Sequence, residues 1–511
     1  MSSKIRFWVY FFVFVLAVFT RFWNLNWSQG YPFHPDENNM VNSILQLTPN
    51  NLNPRFFAYG QFPLYLAYFT TPQHTFISIS LTLRFWSAVF SCLSLVFFYL
   101  IGKKVFASDF FSLIFVLLLI FTPGLIQSAH FGTTESILIF VFSANIFLSL
   151  KFFDHPKFKF ILFGSLISGI GLATKISALI LTLPFFLCFV FLFFKKPKFL
   201  PLLSRSFILI FLTFLVGLCL SPFNLIKYSD FITSIEYEIN IANGSLPIFY
   251  TRQFINTAPY LFHFYRIFPY TNGIFIFSFG IIGLLFSLYR LINKQKFNPY
   301  FLITFFSGLI YFVYHGQLFV KWTRFVAPIF FIFPLMSVYF FSNLKSKVSI
   351  YFCLLLSLLP GIYFMKTYFN TDSRILASNW INQNIPQQST ILSESGNVTS
   401  LPMDNSADFN LIDFDFYRLD SHTKPALDQS IAVSQYIFVP SRRVFKNQTN
   451  FAFPESQNYY QSLFSGQLKF SLIKDFNFNN SLFLNSENAE ETWSVFDNPV
   501  IRIYQKNEIK K

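Results

Sequence analysis

Asp36 and Glu37 stand side by side in Tyr31-Pro32-Phe33-His34-Pro35-Asp36-Glu37-Asn38, and they are the only acids before Asp109. A pair of carboxylates flanked by apolar sequence is costly unless it is used. It suits general-base chemistry, or a share in holding a metal. The competing reading is a solvated turn, because His-Pro-Asp-Glu is also good chemistry for a turn and a helix start. Glu135, in Phe131-Gly132-Thr133-Thr134-Glu135, offers a second acid. One of Asp36 and Glu135 could take a proton while the other orients it or binds metal. As a plain first-turn acid, Glu135 would gain only about 0.3–1 kcal/mol from the helix dipole. Glu236 and Glu238, two residues apart, read as a solvated face.

Cations complete the set. Lys321 and Arg324 lie one helical turn apart, ahead of Phe325-Val326-Ala327-Pro328, and such a pair can hold a phosphate. Arg84 opens an apolar run and Lys175 lies between two others, while Arg55, Arg252 and Arg266 fall in longer loops. Taken singly, each could be a side chain snorkelling to headgroups. His34 and His315 could be ligands or proton carriers. A lone His reads more simply as a hydrogen-bonded interface residue. The sequons at Asn397 and Asn447 are what chance gives in an Asn-rich chain.

These residues sit among eleven apolar runs, near 7–23, 80–101, 108–123, 131–150, 160–174, 176–194, 206–222, 272–290, 299–314, 325–342 and 348–365. About 18 such residues cross roughly 30 Å of hydrocarbon. The composition agrees: 53% of the 511 residues are hydrophobic and only 12% are charged, too few for a soluble surface. The 79 phenylalanines, alongside much Ile, Asn, Lys and Tyr, read as AT-rich coding bias. The expected fold is therefore membrane α-helical: a bundle of about eleven transmembrane helices over residues 1–366, then a soluble α/β domain over 367–511. Segment 62–70 is too short to span and reads as an interfacial helix. Phe7–Phe22 lacks a small-residue cleavage site and reads as a retained first helix.

Residues 1–366 hold 26 Lys/Arg and 8 Asp/Glu, whereas 367–511 hold 12 and 15. The basic excess thus belongs to the membrane part, which argues against nucleic-acid binding and for topology signals. Basic clusters recur at every second connection: Lys4/Arg6, Lys103/Lys104, Lys151/Lys157/Lys159, Lys195/Lys196/Lys198/Arg205, Arg290/Lys294/Lys296 and Lys345/Lys347. The positive-inside rule then predicts a cytoplasmic N-terminus, long outer loops at about 24–79 and 223–271, and an extracytoplasmic C-terminal domain. This holds if 160–194 is two spans meeting at Thr174-Lys175. The four cysteines lie in apolar runs, so no disulfide or zinc framework is expected. In the tail, 373–384 and 457–468 predict helices, and 390–393, 431–439, 469–476 and 500–504 predict strands.

In this order the motifs resemble those of bacterial GT-C glycosyltransferases of the protein O-mannosyltransferase and lipid A aminoarabinose transferase type. The resemblance rests on Phe33-His34-Pro35-Asp36-Glu37, Phe62-Pro63-Leu64-Tyr65-Leu66, Leu83-Arg84-Phe85-Trp86-Ser87-Ala88, Ser128-Ala129-His130 through Glu135, Gly171-Leu172-Ala173-Thr174-Lys175 and Lys321-Trp322-Thr323-Arg324-Phe325. Ala489 through Pro499 (AEETWSVFDNP) is similar to an ending found in one bacterial branch. Gln61 and Phe62 depart from the pattern, standing where some relatives place a lipid-phosphate Lys and a Pro.

The resemblance implies a transferase that moves a sugar from a polyprenyl-phosphate donor to an acceptor hydroxyl on protein, lipid or envelope glycan, at the outer face of the plasma (inner) membrane. Catalysis would fall to Asp36 as general base, with Glu37. Substrate binding would fall to His34, Arg84, Glu135, Lys175, Lys321 and Arg324. A divalent metal, Mg or Mn, is compatible with Asp36 and Glu135 but not required by them. Inversion at the anomeric carbon is expected. The main rival is a transporter or lipid-linked sugar flippase, although its sites usually lie at mid-membrane. A second rival is an inactive relative that scaffolds envelope assembly.

Overall fold

The computed structural model describes residues 3–31, 33–195, 199–394, 401–403, 406–448 and 452–507. Pro32, Lys196, Lys198 and Asn397 lie outside these. All eleven apolar runs are helical, but they do not all qualify as spans. Among the described residues, seven helices are long and apolar enough to cross a membrane, and nine if two bent pairs each count as one. The expected count of eleven is not reached. Phe158–Leu172 has only 15 residues, and Pro299–Gly316 carries Tyr300, Tyr311, Tyr314 and His315. The chain is a multi-pass membrane protein.

The longest helix, Phe76–Phe106, shows how sequence sets position. Thr75 caps its start by accepting the Ser78 N–H, and Ala107 ends it in the left-handed conformation. At 1.5 Å per residue its 31 residues rise about 46 Å, well beyond the hydrocarbon. Arg84 near one end and Lys103 near the other are therefore separated by about 28 Å, close to one hydrocarbon thickness. Glu135–Asp154 packs along it as the most enclosed of the seven long helices, with Phe142 edge-on to Phe331 and Phe331 packed on Phe98.

The helices Asp109–Ile120 and Pro123–His130 bend by 55°. Pro123 has no N–H to give, so carbonyls at the break need other donors. Arg21 supplies them, donating to Ile120 O at 2.8 Å and Leu119 O at 3.0 Å, with Ser91 Oγ and Thr20 Oγ1 accepting the rest. Arg21→Met is expected to destabilise the bundle by about 1–3 kcal/mol for Ile120 O left bare, while Leu119 O keeps the Thr122 N–H at 3.3 Å. Thermal unfolding of the detergent-solubilised protein would show it as a lowered Tm, and an unchanged Tm would mean that water or a neighbour replaces the guanidinium.

After helix Lys347–Phe364 come the short helix Lys366–Phe369, helix Ser373–Asn384 and a five-stranded sheet. Its strands are β1 (Thr390–Glu394), β2 (Asn410–Phe414), β3 (Tyr436–Val439), β4 (Phe470–Phe476) and β5 (Ile501–Lys506), in the order β2-β1-β3-β5-β4. β1, β2 and β3 are parallel, and β5 runs antiparallel to both β3 and β4. Alternate residues serve opposite faces: Ile437 and Val439 pack with Leu463 and Tyr459, Tyr436 and Phe438 with Ile381 and Ile385. The strand expected at 431–439 is shorter, because Ile431–Val433 close the helix Lys424–Val433.

The segment Ala489–Pro499 is wedged between sheet and bundle. Asp497 accepts from Tyr368 Oη and Gln127 Nε2, both at 3.0 Å, and Asn498 donates to Thr367 O at 3.1 Å. Trp493 stacks on Phe364 with centroids 4.7 Å apart. Arg374 is bound by Asp372, donates to Phe496 O at 3.0 Å and lies 3.6 Å over the Phe33 ring.

Candidate functional site

Pro35 opens the helix Pro35–Leu45, and His34 caps it by accepting the Asp36 N–H on Nδ1 at 3.2 Å. Consecutive helical residues point about 100° apart, so the two adjacent acids part company. Glu37 turns inward and is fully buried. It accepts from Ser80 Oγ at 2.5 Å, from Arg84 at 2.9 and 2.8 Å, and from Gly132 N at 2.8 Å. A Cβ on residue 132 would come within 3.1 Å of the Glu37 side chain and 2.8 Å of Leu83, so only glycine allows this approach. Arg84 is equally buried, donating to Leu25 O and Ser28 Oγ and lying 4.8 Å over Trp27. Neither Glu37 nor Arg84 lines the neighbouring cavity.

Asp36 faces that cavity, which has a volume of about 1090 Å³. Its carboxylate is ion-paired with Arg324, with the Tyr59 hydroxyl beside it. Burial would raise the Asp36 pKa, but the Arg324 guanidinium, His34, Tyr59 and Lys175 outweigh it and hold the carboxyl below its ordinary value. Arg324 lies 4.4 Å over the Trp322 ring. Lys175 sits 4.7 Å over Phe325 and 5.4 Å over Tyr59. Burial and the nearby Arg324 lower the Lys175 pKa, against Glu135, Asp36 and Glu238. Aromatic faces that carry cations in this way offset part of the desolvation cost.

The Tyr59 loop is locked against the Lys175 loop by Gly60 N to Thr174 O (2.9 Å) and Phe62 N to Ala173 O (3.0 Å). A Cβ at residue 60 would meet Ala173 O at 2.0 Å. Gln61 is not turned to the cavity; it braces this loop through Phe223 N and Asn224.

The remaining expected residues divide. His34 is held between Phe131 and Phe496, and burial keeps its pKa low. Glu135 is buried at the first turn of its helix, within electrostatic reach of His34, Lys175 and Arg324, but off the cavity surface. Lys321 turns away from Arg324: its Nζ donates to Phe319 O at 2.8 Å near the Phe254 ring, and burial lowers its pKa to about 8. The structure does not bring Lys321 and Arg324 to a common surface. His315 lines the cavity, stacked on Tyr311 at 4.1 Å.

Tyr59 and Glu238 were not singled out as site residues from the sequence. Glu238 lines the cavity, and burial raises its pKa against the pull of Arg324 and Lys175; Glu236 is exposed. The solvated reading therefore holds for Glu236 and fails for Glu238. The far wall comes from the C-terminal part: Arg443 paired with Glu491 at 3.3 Å, Thr492 and Phe496. Asp36 is engaged by a guanidinium, and among the described residues no three His, Cys, Asp or Glu side chains gather to hold an ion. These donors do not fit a metal centre.

Residues 57–234 match the family model described as dolichyl-phosphate-mannose-protein mannosyltransferase. The match includes Arg84, Glu135 and Lys175 but neither Asp36 nor Arg324. The fold is similar to the Archaeoglobus fulgidus oligosaccharyltransferase in its apo form (TM-score 0.51, 13% identity, 86% of this chain and 70% of that one). ArnT from Cupriavidus metallidurans aligns over 98% of both chains, at TM-score 0.49 and 12% identity in the apo state and at 0.44 and 12% bound to undecaprenyl phosphate. None of the curated proteins compared matches the chain. The resemblance to GT-C glycosyltransferases read from the motifs is borne out by the family match and the fold.

Proposed function

We propose that the protein transfers a sugar from a polyprenyl-phosphate donor to an acceptor hydroxyl, with inversion and with Asp36 as general base. The observation that carries this is the Asp36–Arg324 pair at the cavity surface, with Lys175 beside it. The family matched over residues 57–234 is described by a lipid-phosphate sugar, dolichyl-phosphate-mannose, which supports the donor class. The bilayer would hold the lipid and the cavity the reacting groups, on the extracytoplasmic side that the basic clusters predict.

In the reaction the acceptor oxygen attacks the anomeric carbon and its proton passes to Asp36. The bond from that carbon to the phosphate oxygen breaks, and its electron pair leaves with the phosphate. Negative charge therefore grows on the lipid phosphate, where Arg324 and Lys175 can stabilise it. A single in-line displacement by the acceptor oxygen, with Asp36 taking the proton, gives inversion. Arg324 has two anionic partners to choose between. When its guanidinium turns to the phosphate, Asp36 loses the charge that holds its pKa down and becomes a better base.

In the free enzyme Arg324 holds the Asp36 pKa below 3.8, so Asp36 stays ionised until the pH falls through that lowered value. In Arg324→Gln the largest influence holding the carboxyl down is gone, the pKa rises, and the acid limb of kcat/KM is expected to move to higher pH. A limb that stays in place would remove Asp36 as the titrating base. The reading as a whole is tested in proteoliposomes with a panel of polyprenyl-phosphate sugars, with and without chelator. Release or transfer of sugar supports it. Lipid-linked sugar that crosses the bilayer intact, with no transfer from any donor, would replace it with a flippase.

A further inference from the structure

We infer that Glu490, in the C-terminal part of the chain, is a positioning residue for Arg324 in the membrane part. This rests on the transferase reading above. Glu490 is buried at 1% exposure. Its Oε2 accepts the backbone N–H of Thr323, the residue before Arg324, at 3.1 Å, and also the N–H of Thr492 at 3.1 Å. Its Oε1 accepts from Gln253 Nε2 at 3.2 Å, and its own N–H donates to Arg266 O at 3.0 Å. Glu490 thus joins the Trp322–Phe325 segment, Gln253 and Arg266 in the second long loop, and the helix Glu491–Ser494. From the other side, Tyr311 Oη donates to Phe325 O at 2.8 Å. Arg324 is clamped between the two, with Trp322 beneath its guanidinium.

The physical need is plain. A guanidinium that must serve a carboxylate and then a phosphate works only if its backbone stays put, because misplacement of about 1 Å can cost on the order of 100-fold in rate. Four residues of helix, Thr323–Val326, cannot fix themselves, and their first N–H has no intrahelical partner. The motif Ala489–Pro499 brings the missing acceptor. The neighbouring pair Arg443–Glu491, with Asn447 donating to Glu491 at 3.0 Å, keeps that stretch in register with the cavity wall.

A double-mutant cycle in proteoliposomes tests this. Glu490→Ala is expected to lower kcat by about 10–100-fold with little change in donor KM. It should cost little further in an Arg324→Ala background, because it acts through the residue already removed. Glu490→Gln is expected to recover most of the rate, since its amide oxygen can face the Thr323 and Thr492 N–H groups while Gln253 flips to meet its NH₂. Losses that multiply across the cycle, or a fall confined to thermal stability, would overturn the positioning role and leave the transferase reading intact. A wild-type chain that neither turns over nor binds any polyprenyl-phosphate sugar would overturn that reading, and this inference with it.

Discussion

Asp36→Asn is expected to cut sugar transfer by about 10²–10⁴-fold, the usual contribution of a positioned base, while donor binding persists. Asn matches Asp in shape but cannot take the acceptor's proton at neutral pH. Arg324, relieved of its carboxylate partner, remains available to the lipid phosphate, so donor KM should hold or fall. Single-turnover rates and equilibrium binding of the same polyprenyl-phosphate sugar separate the two effects. A rate within about threefold of wild type would leave Asp36 as only the anchor of Arg324 and pass the proton to another group, with Glu238 first in line because burial raises its pKa.

The neighbouring acid should fail differently. Removing one partner of a buried ion pair costs about 3–5 kcal/mol, because the other charge is left unpaired in an apolar site. Glu37 and Arg84 are both fully buried, and Glu37 also holds Ser80 and the Gly132 amide. Glu37→Ala and Arg84→Ala are therefore expected to lower the Tm and the folded yield sharply. Apolar replacement of both together should recover part of the loss, since no orphan charge remains. Whatever Glu37→Ala folds should bind donor normally. A variant with a normal Tm and a collapsed kcat would instead return Glu37 to the chemistry, as the sequence reading had it.

Charge poverty made the Asp36-Glu37 segment stand out, and the order of motifs drew the GT-C resemblance. What the sequence could not tell was which acid faces the cavity. That depends on where the helix Pro35–Leu45 lands against Phe76–Phe106, a tertiary fact. Lys321 and Arg324 looked like one phosphate clamp because a turn separates them, yet Lys321 follows the aromatic cluster of Phe254 and Phe319. Tyr59 was one tyrosine among 25; the useful signal was Gly60 after it, which marks a close backbone approach. Strand β2 and the helix Lys424–Val433 escaped because short apolar runs do not separate helix from strand by period. Of the two bends, one falls at Pro123, the last residue of the apolar run 108–123, and the other, of 41° between Thr323–Ile329 and Ile332–Phe341, lies within the run 325–342 just after Pro328.

The two acids also differ in when they find their cations. Glu37 meets Arg84 after 47 more residues, whereas Asp36 meets Arg324 after 288, and the carboxylate that braces Arg324 lies 454 residues beyond Asp36. At about 5–20 residues per second, roughly 20 to 90 s of synthesis separate Asp36 from Glu490. During that interval the first loop can already be neutralised and folded around its own ion pair. Asp36 has no Arg324 to pair with until much later in synthesis. The Glu37–Arg84 pair can thus form long before Asp36, Arg324 and Glu490 are all present, so the residues proposed for chemistry come together only after Glu490 has been made.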